Sequence, residues 1–483
     1  MMSVACTYKH IIFPLLLSDF DPWKWKYFAG NRYLADNNVV SLVSSGSIGA
    51  VSNHENDEHV AMIAITPMGI SIVEVQKWTL HDKAHAYLVY QPRHEKKGLI
   101  YDLNIYFYGD PSDSNIRVGD NDGLWTSMHA MGEAFACAID KDVQSCKRAW
   151  QAFEGLETLS NVTGSYPQFV ARSYCYGPDD IDGCGDADGS DRWHQSSTMS
   201  GYLWKDDTSS DEIDGHLAVY PLIYDLVAQT DGERQRVYSM IDGLTGSIVE
   251  NDLYLIDPTT GNHTTWGFWN PKELNEDPVR VSERPTNSLG ILAYLASAYS
   301  ITRKDEYRSQ YMDLVNNHQY VRNCMQTKID NPDDDNHSDN ELLSLSYHTL
   351  FYSWYRLPEG DFKEELRVMI EPMIPGAVRM WGLIGAEFNP LWTSIFLGLM
   401  ELKGDRVTPE QIFRSVHALR RQALDLIDWP VDHTLRADVV LTPNHVRDND
   451  DKPVIKEILP PDARPTAHFN TDIFVVRIGD PFI

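Results

Sequence analysis

Twelve consecutive residues, "KDDTSSDEIDGH" (205–216), hold five carboxylates, two serines, a threonine and a histidine, and run directly into the apolar stretch "LAVYPLIYDLVA". Crowded carboxylates raise one another's pKa, so one can keep a proton near neutrality while its neighbour stays ionised. Glycoside hydrolysis needs such a pair: one carboxyl protonates the leaving oxygen, and the other activates water or attacks carbon. Asp122, in "GDNDG" (119–123), can pair with Asp211 or Glu212, and Asp120 stands beside it. His216 lies one helical turn beyond Glu212 on the same face. That pair reads as an acid with its orienting partner, a metal pair or a buried hydrogen bond.

Three further polar clusters precede apolar stretches. "SERPTNS" (282–288) supplies Arg284 and Asn287, "DDDNHSDNE" (333–341) supplies His337, Asp339 and Glu341, and "EFNP" (387–390) stands just before Trp392. Arg172 and Arg284 are structural ion-pair partners or clamps for a uronate. His337 with Asp339 and Glu341 is a base with its orienter or a capped helix start. The expected catalytic set is Asp122, Asp211, Glu212, His216 and His337. The expected substrate-binding set is Asp120, Trp125, Arg172, Trp204, Trp269, Arg284, Asn287, Asp339 and Trp392, with the indoles stacking on sugar faces. Ser, Asp and Asn also cap helices, each cap being worth about 1 kcal/mol. A cap accounts for one or two residues of a cluster, not for Asp206, Asp207, Ser209, Ser210, Asp211, Glu212, Asp214 and His216 together.

His129 and Glu133 repeat the i, i+4 spacing in reverse order, which matches no recognised metal signature. Asp186, Asp188 and Asp191 sit in a Gly-rich loop that lacks the spacing and closing Glu of an EF-hand. No metal site is assigned. No cofactor is expected to be required, a divalent cation such as calcium being the one option. No Gly-x-Gly-x-x-Gly, Walker loop or Gly-x-Ser-x-Gly elbow occurs, which demotes nucleotide and serine-hydrolase chemistry.

The elements that must position these groups repeat. Five segments (122–140, 209–229, 285–303, 338–356 and 389–404) are apolar or aromatic nearly all round, and each is followed by an amphipathic one (142–164, 232–252, 305–325, 361–381 and 408–427). A helix apolar on every side is buried, and one with a single stripe lies outside. The expected fold is mainly α: an α/α toroid of five to six hairpins, with a small N-terminal β region and a C-terminal β segment. A helix near 78–94, capped by Thr79, or a C-terminal element completes the sixth pair. An α-solenoid is the alternative, but its repeats are near-uniform in length and these are separated by long insertions. Inner helices of a toroid run the same way, so the clusters at their starts would converge on one rim. Pro221 should kink its helix or shift its start.

The expected domains are 1–76, a small β region; 77–430, the toroid; and 431–483, an extended segment with strands in "ADVVLT" and "DIFVVRI". In the first, Leu34, Asn37 and Val39 with Thr66 and Gly69 resemble the blade repeat of two-component-regulator propellers. "DNDGLWTSMHAMGEAF", "DDTSSDEIDGH", "SERPTNSLGILAYL" and "NHSDNELLSLSY" together resemble a bacterial group in which such a repeat precedes a toroid similar to six-hairpin glycosidases. The likeness spans most of residues 32–400. It implies the toroid and sugar chemistry, among inverting glycosidases, unsaturated-glucuronyl hydrolases, uronate lyases and epimerases. The Asp-Asp pair in a Trp-rich inner helix, typical of the glucuronyl hydrolases, is not present here.

The totals bound the rest. With 483 residues, 42% of them hydrophobic, the chain can bury a large core and is not disordered. A net charge of −29 argues against nucleic-acid and anionic-membrane partners. No run reaches the roughly 18 apolar residues of a membrane span. "IIFPLLL" is short, broken by Pro14 and without a cleavage site, which favours a cytoplasmic chain and leaves secretion open. Six cysteines in so long a chain do not read as a disulfide framework; Cys175 and Cys184, in one loop, either pair or stay thiols. Sequons at Asn161, Asn262 and Asn336 matter only in a secreted chain. The expected function is a carbohydrate-active enzyme acting on a small or oligosaccharide substrate: a glycoside hydrolase, with a uronate lyase or epimerase as the alternative. A non-catalytic binding toroid is the alternative of another class. Oligomeric state is not encoded in these features.

Overall fold

The structure is a computed structural model. It describes residues 60–421 apart from breaks at 76–77, 107–111, 186–191, 327–336, 385–389, 404–407 and three single residues, together with parts of 25–45 and short terminal strands. The first helix, α1 (Leu80–Tyr90), starts at Thr79, whose hydroxyl accepts from the Asp82 amide while Asp82 Oδ2 accepts from the Thr79 amide. This reciprocal cap is why the helix begins there.

The five expected pairs follow. They are α2 (Asp122–Asp140) with α3 (Val143–Asn161), and α4 (Ser210–Leu222) with α5 (Asp231–Glu250). Next come α6 (Arg284–Thr302) with α7 (Asp305–His318) and the short α8 (Tyr320–Cys324). Then α9 (His337–Arg356) precedes α10 (Lys363–Ile370) and α11 (Ile374–Ile384), and α12 (Pro390–Lys403) precedes α13 (Pro409–Arg421). In α6 every residue from Pro285 to Ile301 is buried, whereas α5 buries one stripe, including Val237, Ile241, Leu244 and Ile248. The alternation of all-round apolar and amphipathic sequence is thus an alternation of buried and outer helices.

The buried members pack in succession, α2 on α4, α4 on α6, α6 on α9 and α9 on α12, and α4 also reaches α9. Enclosed by α2, α6, α9 and its own partner α5, α4 buries every residue but Asp211, which is partly exposed. Close approach of α2 and α4 depends on glycine: a Cβ at Gly215 would stand 3.0 Å from Leu124 Cα. Pro221 lies inside α4, and a π-helical turn over Ile223–Val227 begins two residues later, where the ring has removed a backbone donor.

The chain is mainly helical, and its described sheets are small and antiparallel. Between α3 and α4, Tyr202–Lys205 lies between Tyr174–Tyr176 and Trp193–Gln195. Between α5 and α6, Tyr254–Ile256 and His263–Phe268 form a hairpin. Near the N-terminus, Ser41–Ser45, Val60–Thr66 and Gly69–Val75 form a meander whose small core holds Phe28, Leu34, Met62 and Ala64. There Asn37 Oδ1 accepts from the Gly30 amide at 2.7 Å, and Thr66 Oγ1 accepts from the Gly69 amide at 3.1 Å, so the blade-like motif residues hold turns. Towards the C-terminus, Val440–Leu441 and Phe474–Val475 fall in the expected strands, with Lys456–Ile458 between them.

One expectation is overturned. Cys175 pairs with Cys184, and Cys137 pairs with Cys146, so disulfides do staple this fold. The second bridge was not foreseen because it depends on a tight turn. Lys141 in the left-handed region (φ 53°) folds the end of α2 onto the start of α3, bringing the two Cα atoms to 4.7 Å. Cys324 is buried and free.

Candidate active site

Arg172 ties the approach to α2 to the approach to α4. Its Nε donates to the Asp207 carbonyl at 2.6 Å, and Nη1 donates to the Asp120 carbonyl at 2.9 Å and to Asn121 Oδ1 at 3.4 Å. Asn121 in turn donates from Nδ2 to Asp211 Oδ2 at 3.1 Å. The carboxylate of Asp120 meets Lys205 Nζ at 2.9 Å and Arg192 at 3.7 Å. Two clusters some ninety residues apart therefore meet at one place.

The insertions wall this place. Asp207, held at a φ of 52°, accepts from the amide and hydroxyl of Thr265 at 2.8 and 3.0 Å, and its own amide donates to Asp257 Oδ2 at 2.9 Å. Asp206 Oδ2 lies 2.6 Å from His194 Nε2 and accepts from Thr259 Oγ1 at 3.1 Å. The 254–268 hairpin is thereby pinned beside the start of α4.

The carboxyls of Asp120 and Asp211 differ in electrostatics. Burial pushes Asp120 up, but the Lys205 hydrogen bond and the charges of Lys205, Arg172 and Arg192 outweigh it and hold the group below the usual range. Burial pushes Asp211 up, and Arg172 and Asn121 offset only part of that. Asp120 and Asp211 thus lie in one neighbourhood, linked through Asn121, Arg172 and the Asp120 main-chain carbonyl, with their carboxyls shifted in opposite directions.

Other carboxyls gather below. Asp122 opens α2 fully buried and accepts from the Gly119 amide with both oxygens, at 3.0 and 3.1 Å; burial pushes it up to about 8. Asp214 accepts from Ser346 Oγ at 2.8 Å and is also pushed up to about 8 by burial. Glu341 on α9 is buried and raised by that burial and then by the charges of Asp211 and Asp214. Carboxyls of α2, α4 and α9 therefore lie near one another.

Several expected roles need correction. Glu212 is wholly buried, its carboxyl lying against Gly123, so it faces α2 and not an open basin. His216 is equally sealed: Nδ1 lies 2.5 Å from the Tyr220 hydroxyl, Nε2 lies 3.9 Å from Glu212, and burial pulls its pKa down to about 3. The Glu212–His216 pair makes no hydrogen bond at that distance: His216 is held by Tyr220 instead, and both Glu212 oxygens and His216 Nε2 are buried without a hydrogen-bond partner among the described residues. Trp204, Trp269 and Trp392 are buried in the core and offer no stacking face, while Trp125 is half-buried against it. Arg284 Nε donates to the Leu274 carbonyl at 2.5 Å, and Asn287 Nδ2 donates to the Phe268 carbonyl at 2.9 Å, so both hold the hairpin connection. Asp339 is buried in the first turn of α9. His337 opens that helix, but its side chain, like "EFN" and the loop holding Asp186, Asp188 and Asp191, lies outside the described residues.

No protein-family model matches this chain, and no curated protein matches it.

Sequence reasoning missed Asn121, Arg192, His194 and Lys205. Lys205 opens the motif that drew attention, and "WHQ" and "YLWK" pair as strands, which sets His194 opposite Trp204 and Trp193 opposite Lys205. That register was the missing signal. Among the described residues no group of three or more His, Cys, Asp or Glu side chains is arranged to hold a metal ion, and Glu133 is engaged with Arg148 at 2.9 Å. No described helix is long and apolar enough to cross a membrane. A surface groove of about 940 Å³ lies elsewhere, among α3, α5 and α7, and none of the acid-cluster residues lines it.

Proposed function

We propose that the chain is a carbohydrate-active enzyme, a glycoside hydrolase, built on an α/α toroid whose inner layer is α2, α4, α6, α9 and α12. The observation that carries this is the meeting of Asp120 and Asp211 through Arg172 and Asn121, with Lys205 on the first carboxylate and burial around the second pushing the two in opposite directions. In this reading Asp211 protonates the leaving glycosidic oxygen and Asp120 activates the attacking water. Arg172 and Asn121 hold the two in register, while Asp122, Asp214 and Glu341 form a largely protonated floor. The resemblance to six-hairpin toroids supports the same class of substrate.

A second reading rests on His194 and Asp206. A histidine one-third exposed and fixed by a buried carboxylate is a base with its orienter, beside the cations Arg192 and Lys205. On a uronate those cations would neutralise the carboxylate and His194 would take the adjacent ring proton, giving elimination.

Incubating the protein with neutral and uronate-rich glycans separates the readings. New reducing ends without ultraviolet absorbance support hydrolysis, and absorbance of an unsaturated uronate supports elimination. Neither product, with retained glycan binding, would leave a binding protein. Asp211→Asn and Asp120→Asn should each lower turnover by about 10²–10⁴-fold; full turnover in both variants sinks the assignment.

A further inference from the structure

The sequence favours a cytoplasmic chain, but two features of the fold argue otherwise. Cys137–Cys146 and Cys175–Cys184 are both bridged, and such bonds form and persist in oxidising compartments. In the second pair both cysteines are wholly buried, so the bridge is part of the core between the 174–176 strand and the loop that follows.

Independently, two of the three sequon asparagines fall among the described residues, and both are exposed. Asn161 ends a regular helix and lines the α3–α5 groove. Asn262 stands at the turn of the 254–268 hairpin, just before the second strand. Its carbonyl accepts from the Asp257 amide at 2.8 Å and its amide donates to Thr260 Oγ1 at 3.2 Å, which fixes the backbone. The carboxamide side chain makes no hydrogen bond among the described residues. Thr264, the third residue of the sequon, is buried and accepts from the Gly267 amide at 3.0 Å. Glycosylation of Asn262 would therefore precede folding, and the finished fold would carry the glycan on its surface without strain.

We infer that this chain matures in an oxidising secretory compartment and carries an N-linked oligosaccharide on Asn262. Asn262 Nδ2 displaces a polyisoprenyl pyrophosphate from the anomeric carbon of a lipid-linked oligosaccharide. A carbon–nitrogen bond forms, the anomeric carbon–oxygen bond breaks, and one amide proton is released. Each cysteine pair gives up two electrons and two protons to a protein disulfide oxidant, which is reduced to its dithiol.

The test uses the full chain purified from its own source. Thiols are alkylated under denaturing, non-reducing conditions, and peptides are then treated with peptide N-glycosidase in heavy-oxygen water. The expected result is that Cys137, Cys146, Cys175 and Cys184 are protected, Cys324 is alkylated, and the Asn262 peptide returns as a heavy-oxygen-labelled aspartate. Alkylation of all four bridged cysteines would overturn the compartment. An unmodified Asn262 in protein with both bridges intact would overturn the glycan. Passed through a eukaryotic secretory route, Asn262→Gln should be smaller than the parent by one glycan; equal masses would overturn the acceptor assignment.

Discussion

Glu212 fills the space that a side chain at position 123 would need. A Cβ at Gly123 would collide with Glu212 Oε2 and would stand 2.9 Å from Leu159 Cδ1, so α2 can lie this close to α4 only with glycine there. Gly123→Ala should be destabilising even though alanine is favoured over glycine in a helix by about 1 kcal/mol, because overpacking a core costs about 1–3 kcal/mol. Urea unfolding should show a lower midpoint at unchanged slope. A midpoint at or above the parent's would mean that the carboxyl moves aside freely.

Because that carboxyl is sealed and held in its protonated form by burial, Glu212→Gln should leave turnover within about threefold of the parent, whereas Asp211→Asn should not. The contrast is read in one glycan assay, with circular dichroism as the control for folding. Loss of turnover in the folded Glu212→Gln protein alone would return Glu212 to the catalytic list.

The buried acids set a direction for stability with pH. Asp122 and Asp214 are raised to about 8 from unfolded values near 4, so the folded state binds more protons between those limits. Their contribution is complete below about pH 4 and is lost as pH rises through about 8, by at most about 1.4 kcal/mol per pH unit for each group. His216, pulled down to about 3, acts in the opposite sense, losing its contribution as pH falls below about 6.5. Asp214→Asn isolates one acid, since an amide can still accept from Ser346. The parent's stability relative to this variant should decline from about pH 5 to about pH 8 in urea melts, and a flat difference would contradict the buried, protonated state.

Lys205 is the strongest of the groups holding Asp120 low. Lys205→Met keeps the buried stem and removes the charge, so the acidic limb of the pH–rate profile should move to higher pH. A limb that stays in place would remove Asp120 as the group seen in that limb.

Closing a nine-residue separation, each disulfide should contribute about 2–3 kcal/mol by constraining the unfolded chain. Replacing Cys175 and Cys184 together by serine should lower stability by that amount or more, because both sites are fully buried. Calorimetry of the variant beside the parent measures it; an unchanged transition would mean the bridge is dispensable.

How much was legible in the chain follows from the range of each interaction. Helix periodicity and caps act over a few residues, so the Thr79 cap and the five buried-then-amphipathic pairs could be read directly, with α2 spanning the expected residues 122–140. That acids stand at helix starts was legible for the same reason; that those of α2, α4 and α9 lie near one another was not, because it depends on how the helices pack. Which acid faces solvent was not legible, because it turns on how closely α4 approaches α2, and that approach needs Gly123 and Gly215. The roles of Lys205 and His194 depended on strand register, where a shift of one residue sends every side chain to the opposite face. The Cys137–Cys146 bridge depended on a left-handed residue between two helices. By itself, then, the sequence determined the helices, their buried or outer place and the clusters at their starts, because those follow from local periodicity. Only the tertiary structure decided which carboxyls are exposed and paired and which are sealed, because burial and charge are set by neighbours distant in the chain.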